Sequence, residues 1–381
     1  MTKTELFDIK IEELDSYVYG KCKLKWDLLA KPIDGFGDFE DAISKIAAIQ
    51  GTANPDISKR AVVIFCADNG IVEEGVSQCG PEVTRKVAEN LGAGKSTVCV
   101  LGKKIRVNIY PIDIGIKGTE KIEGVLDRKV CEGTKNFLEE PAMSEEEVLK
   151  AIVTGMNLAR DLKYAGYTIL ASGEMGIGNT TTSTALLSTL MYIQPHNLTG
   201  RGAGLDDAGL ERKRNVIKQG IRKYSDGFGK DDLYLNAVYR SNVSGIFEKN
   251  VAGLKTKEYA LHILSSLGGL DIAGLVGLMI GGAMYRIPIV LDGLITGAAA
   301  VCAELIVPGV KDFLIPSHKG KENGNEQALE YLGLKPYING NMALGEGTGA
   351  VMLFPLLDAI IEYYRNGSDF DSYDMEAYKR Y

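Results

Sequence analysis

The chain has 381 residues, 45% hydrophobic and 24% charged, with a formal charge of −7; this length and mixture suffice for a full globular core in one or two domains. The acidic balance argues against nucleic acid as the main partner, because phosphate neutralisation calls for clustered Lys and Arg. Six cysteines with no Cys-x-x-Cys pair and three scattered histidines point to reduced thiols in the cytoplasm and away from a zinc site.

Residues Met1 to Lys10 carry no apolar h-region, so no secretory signal is expected. From Ile9 to Gln50 the pattern is helical. The run Ala61–Ala67 then reads as a strand entering Asp68-Asn69-Gly70, and Pro81 sits where a helix carrying Val83, Val87 and Leu91 would begin. Asp113 closes another strand. Ser144-Glu145-Glu146-Glu147 is a capping box, followed by Val148, Ile152, Met156, Ala159 and Leu162 on one face until Gly166 stops the helix. Tyr167–Ser172 is a strand that feeds the loop Gly173–Asn179, after which Thr180–Ile193 is helical.

Further on, Gly200–Gly204 is a glycine-rich segment and Lys213 stands in the helix behind it. Tyr224–Tyr259 has weak periodicity and reads as a surface insertion, with a lid or partner-binding element as the other possibility. The most apolar stretches, Leu270–Tyr285 and Ala350–Ile361, are shorter than a bilayer span and each holds an Asp (Asp271, Asp358). That predicts buried helices and no membrane partner. Ile287–Leu291 leads into Asp292-Gly293, and Phe313–Ile315 into Pro316-Ser317-His318.

Continuous apolar runs alternating with helices predict an α/β fold: a parallel, Rossmann-like sheet with helices on both faces. The expected large domain spans 60–345, with the insertion at about 224–259. Segments 1–59 and 346–381 are expected to form a smaller helical domain. In an open parallel sheet ligands bind at the carboxyl ends of the strands, so the loops named above should share one crevice. Gly173–Asn179 follows a strand and opens a helix, so it offers backbone N–H groups to a phosphate, or is simply a tight turn. Glu174 and Glu346 lie among glycines. Each is either a proton acceptor with a raised pKa or a helix cap. Asp68 and Asp113 would cap turns or meet ribose hydroxyls, and His318 reads as a structural histidine. A dinucleotide-dependent oxidoreductase would want a Gly-x-Gly-x-x-Gly loop, which Gly173–Asn179 does not supply.

Taken together, these runs resemble the nicotinate mononucleotide:5,6-dimethylbenzimidazole phosphoribosyltransferases of cobalamin biosynthesis. The matching segments include Ala67-Asp68-Asn69-Gly70, Glu74-Gly75-Val76-Ser77, Val83-Thr84, Asp113-Ile114-Gly115, Gly133-Thr134-Lys135-Asn136 and Glu140-Pro141-Ala142-Met143. The most specific are Gly173-Glu174-Met175-Gly176-Ile177-Gly178-Asn179-Thr180-Thr181 and Leu344-Gly345-Glu346-Gly347-Thr348-Gly349-Ala350, completed by Gly268-Gly269, Leu291-Asp292-Gly293 and Ser317-His318.

The resemblance implies phosphoribosyl transfer from nicotinate mononucleotide to an aromatic base, by a homodimer or a heterodimer, with no cofactor and no metal. It implies Glu346 and Glu174 as catalytic residues. Gly176, Gly178, Asn179, Thr180, Gly202, Lys213, Asp292 and Ser317 would hold the phosphoribosyl group, and Ser77, Lys86, Leu344 and Gly345 the base. The chain departs from the family pattern at Arg85-Lys86-Val87, where Ala-Gln-Met is usual, at Ala343, where Arg is frequent, and at Asn69, where His is usual. Alternative readings are a relative using phenol or p-cresol, as one of two unlike subunits, and a non-catalytic nucleotide-binding subunit.

Overall fold

The computed structural model describes residues 1–225 and 253–380. Six strands, β1 (Arg60–Ala67), β2 (Val107–Gly115), β3 (Leu126–Asp127), β4 (Ile169–Met175), β5 (Ile289–Leu291) and β6 (Leu314–Pro316), form one sheet in the order β3-β2-β1-β4-β5-β6. Every pairing in it is parallel. All eight residues of β1 are buried, as expected for a central strand covered on both faces. The expected α/β class is therefore found, with two further strands, β7 (His318–Gly320) and β8 (Ile338–Met342), paired separately.

The strand order positions the site. The chain builds outward from β1 to β3, returns to the other side of β1 with β4, and continues to β6. The direction of winding reverses between β1 and β4, the place where ligands of such sheets bind outside the carboxyl ends of the strands. Register puts Phe65 beside Glu174 and Cys66 beside Met175. The loops after β1 and β4 therefore start at the same level.

The helices follow their local signals. Ser144 and Glu147 form both halves of the expected capping box, and the helix Glu145–Tyr164 buries Val148, Ile152, Ala159 and Leu162. Leu270–Met284 is a helix buried along nearly its whole length. Among the described residues no helix is long and apolar enough to cross a membrane.

The opening segment differs from expectation. Within Ile9–Gln50 it forms two helices, Ser16–Leu28 and Asp38–Gln50, preceded by the short helix Lys3–Phe7; Pro32 and the positive φ of Gly37 interrupt the pattern between the two. Trp26 packs on Tyr364, with ring centroids 4.8 Å apart, and on Phe36 at 6.0 Å, so the first helices meet the last one, Thr348–Asn366. Arg60 and Asp358 tie that last helix to the start of β1 through a double hydrogen bond at 3.0 Å. Most of the expected insertion, 226–252, lies outside the described residues. Its margins are helical, closing Asp207–Ser225 and opening Gly253–Leu267.

Candidate active site

A cavity opens at the carboxyl ends of β4, β5 and β6. Nine of the expected residues line it: Glu174, Gly176, Asn179, Thr180, Gly202, Asp292, Leu344, Gly345 and Glu346.

On one wall, Gly178 has φ +94° and begins the helix Asn179–Leu190, a bend that side-chain-bearing residues resist. The helix thus presents its positive end to the cavity through Asn179 and Thr180. Lys213 stands behind them, fully buried, and donates to Thr180 Oγ1 at 2.7 Å. Burial pushes its ammonium down to about 8. An anion at this wall would restore the charge, because it replaces the hydration that burial removed. Ser317 lies behind the opposite wall, with its hydroxyl 2.8 Å from His318 Nδ1.

Glu346 sits in an unusual backbone. Gly345, Glu346 and Gly347 have φ of +85°, +59° and +78°, three consecutive left-handed residues. For a glutamate this costs about 1–2 kcal/mol, which the surroundings must hold in place. Asp292, at the end of β5, accepts from the backbone N–H groups of Gly347 at 3.2 Å, Gly349 at 2.7 Å and Ala350 at 3.2 Å. On β4, a Cβ on Gly173 would lie 3.0 Å from the Glu346 carbonyl oxygen, so only glycine lets the turn lie this close. Asp292 therefore receives the N–H groups at the start of the last helix, and Glu346 does not cap it. Glu346 Oε2 is shielded from solvent and has no hydrogen-bond partner among the described residues. Burial raises its pKa against the lowering influence of the Ser96 hydroxyl.

Glu174 is buried, and burial, reinforced by the Asp271 carboxylate, pushes its pKa up to about 8. Its Oε2 accepts from Asn179 Nδ2, so Glu174 is not a helix cap either. Asp292 is also raised by burial, opposed by His318 and the three backbone donors, while burial lowers His318.

Other expected residues fall elsewhere. Ser77 is half-buried and accepts from Cys79 N at 3.2 Å, outside the cavity wall. Lys86 is exposed. The helical turn that buries Thr84, whose hydroxyl accepts from Ile177 N at 3.2 Å, points the residue two places on to the opposite side. Asp113 accepts from Ile116 N at 2.9 Å and pairs with Lys129 at 3.3 Å, while Asp68 accepts from Lys117 N at 2.8 Å. Both hold turns.

Sequence reasoning passed over Asp271, Glu322 and Met342, and gave His318 no role at the cavity. His318, Glu322 and Met342 line it. The signal for His318 was its place just after a strand end. For Asp271 it was a carboxylate in the most apolar stretch of the chain.

A phosphoribosyltransferase family model (DBI_PRT) matches residues 11–238 and 243–374. The chain is 38% identical, over 93% of its length and 92% of the relative's, to the nicotinate-nucleotide–dimethylbenzimidazole phosphoribosyltransferase of Acetivibrio thermocellus. It is 39% identical, over 92% of each chain, to that of Alkaliphilus metalliredigens. It is also similar to the crystal structure of CobT from Thermus thermophilus, with a TM-score of 0.82, 33% identity, and 94% of this chain and 99% of that one covered. With matches of this extent to sequence and structure alike, the chain belongs to the nicotinate-nucleotide–dimethylbenzimidazole phosphoribosyltransferase family.

Proposed function

We propose that this enzyme transfers the phosphoribosyl group of nicotinate mononucleotide to 5,6-dimethylbenzimidazole or a similar base, yielding the α-riboside 5′-phosphate and nicotinate. One observation carries the reading. A single cavity joins a helix N-terminus, with Lys213 behind it, to Glu346, whose Oε2 has no hydrogen-bond partner among the described residues.

The 5′-phosphate sits at Thr180 and Gly202, where the helix N-terminus and Lys213 offset its charge. Gly176, Gly178, Asn179, Asp292 and Ser317 shape the phosphoribosyl half of the site, and Leu344 and Gly345 the base half. The acceptor nitrogen attacks C1′ as the C1′–N bond to nicotinate breaks. The leaving ring was a cationic pyridinium and departs neutral, so it needs no acid. The N–H proton of the acceptor passes to Glu346, a transfer worth about 10²–10⁴-fold in rate. Attack opposite the leaving ring inverts β to α, and holding C1′ between the two rings supplies much of the remaining acceleration. Glu174 keeps its proton at neutral pH and acts as a hydrogen-bonding acid towards the substrate.

Ser77 and Lys86 would reach the base only if their loop and helix move towards the cavity. We take the working unit to be a homodimer, as in the resembling family. The cytoplasm is the compartment that suits its six free thiols. The named relatives favour this reaction over a phenolic acceptor or a non-catalytic subunit.

The test is incubation of the purified protein with nicotinate mononucleotide and a panel of benzimidazoles, purines and phenols, with products identified by mass. A riboside phosphate of a benzimidazole or purine is expected. No product with any acceptor would overturn the assignment.

A further inference from the structure

Asp271 is the most deeply buried carboxylate near the cavity, with no solvent exposure, and it does not line the wall. It lies in the first turn of the helix Leu270–Met284, where Oδ1 accepts from Ile272 N at 3.0 Å. Its Oδ2 accepts from Asn179 Nδ2 at 3.0 Å, and the same Nδ2 donates to Glu174 Oε2. Both acceptors are carboxyls, so the Asn179 amide must present its nitrogen here and each N–H serves one of them.

The backbone is shaped around this arrangement. A Cβ on Gly176 would lie 2.8 Å from Asp271 Oδ2, and a Cβ on Gly269 would overlap Oδ1. Two glycines, one on each side, thus leave room for one carboxylate. A buried charge kept at such a place needs partners, and among the described residues Asp271 has two donors and no cation within hydrogen-bond distance.

We propose that Asp271 is a positioning residue: through the Asn179 amide it holds the Glu174 carboxyl in the orientation that the substrate meets. The proposal rests on the reading of Glu174 as a group that touches substrate. Without Asp271 the amide loses one of its two fixed acceptors and rotates, and Glu174 swings with it. Asp271 also acts electrostatically. It is the first charge, after burial, that keeps the proton on Glu174, so its removal changes both the direction and the ionisation of that carboxyl.

The test compares wild type with Asp271→Ala, Asp271→Asn, Glu174→Gln and the double variants, by kcat and by KM for nicotinate mononucleotide. Asp271→Ala should lower kcat about 10- to 100-fold, the scale of a small misplacement of a catalytic group, with KM changed less than about threefold. Added to Glu174→Gln, either Asp271 change should cost less than about threefold more, because both act through one carboxyl. Wild-type kcat in Asp271→Ala would overturn the proposal, as would losses that multiply in the double variant.

Asp271→Asn keeps the packing should the alanine variant fail to fold. It sets an N–H against one of two donors and should also lower kcat. A second readout needs no turnover. The infrared C=O band assigned to protonated Glu174, by its loss in Glu174→Gln, should shift in Asp271→Asn, and an unmoved band would overturn the proposal. If wild type forms no product while the band shifts, the function assignment fails and the positioning stands.

Discussion

Replacing Glu174 with Gln should make the protein more stable, and increasingly so as pH rises. In the unfolded chain this carboxyl releases its proton near 4.5, whereas in the folded protein it keeps it up to about 8. Between those values the unfolded state binds fewer protons than the folded one, so folding stability falls with rising pH. One such group costs about 1.4 kcal/mol per pH unit, or roughly 5 kcal/mol over the whole window. The cause is the burial of Glu174, and the Asp271 carboxylate beside it adds to the effect. Gln has nearly the same shape, still accepts from Asn179 and does not ionise. Urea unfolding followed by the fluorescence of the single tryptophan, Trp26, at pH 5.5, 6.5 and 7.5 measures the difference. The gain of Glu174→Gln over wild type should grow by about 1 kcal/mol or more with each unit. A difference independent of pH would refute the claim that Glu174 is held protonated.

Two further outcomes follow from the packing of the site. In Gly173→Ala the new methyl would lie 2.9 Å from Gly347 N and 3.0 Å from the Glu346 carbonyl. It should therefore cost about 1–3 kcal/mol in urea unfolding and lower kcat more than it raises KM in steady-state assays. Lys213→Met should raise the KM for nicotinate mononucleotide about 10-fold or more, in line with a charge-assisted hydrogen bond worth about 1.5–3 kcal/mol, and leave kcat within a few-fold.

Much of the fold was legible because its signals are local. The apolar run of β1, the capping box at Ser144 and Glu147, and the glycines of Gly173–Asn179 each announce an element within a few residues. The same holds for Glu346, whose glycine neighbours on both sides mark a turn that the structure places in left-handed backbone. The less legible features depend on distance along the chain. Asp271 meets Asn179 from 92 residues away, so nothing near either residue reveals the pair. The capping alternative for Glu346 falls only when Asp292, 54 positions earlier in the numbering, is found on those N–H groups. Lys86 shows a different limit: the motif around Val83-Thr84 places the helix, but the helical period decides that Thr84 faces the cavity loop and Lys86 faces water.

The central claim is that Glu346 takes the proton of the incoming base. Glu346→Gln keeps the size and polarity of the side chain but cannot accept that proton. With saturating nicotinate mononucleotide and the preferred acceptor, kcat should fall by about 10²–10⁴-fold, while the affinity for nicotinate mononucleotide, measured by calorimetry, stays near that of wild type. Turnover at the wild-type rate in that variant would contradict the account.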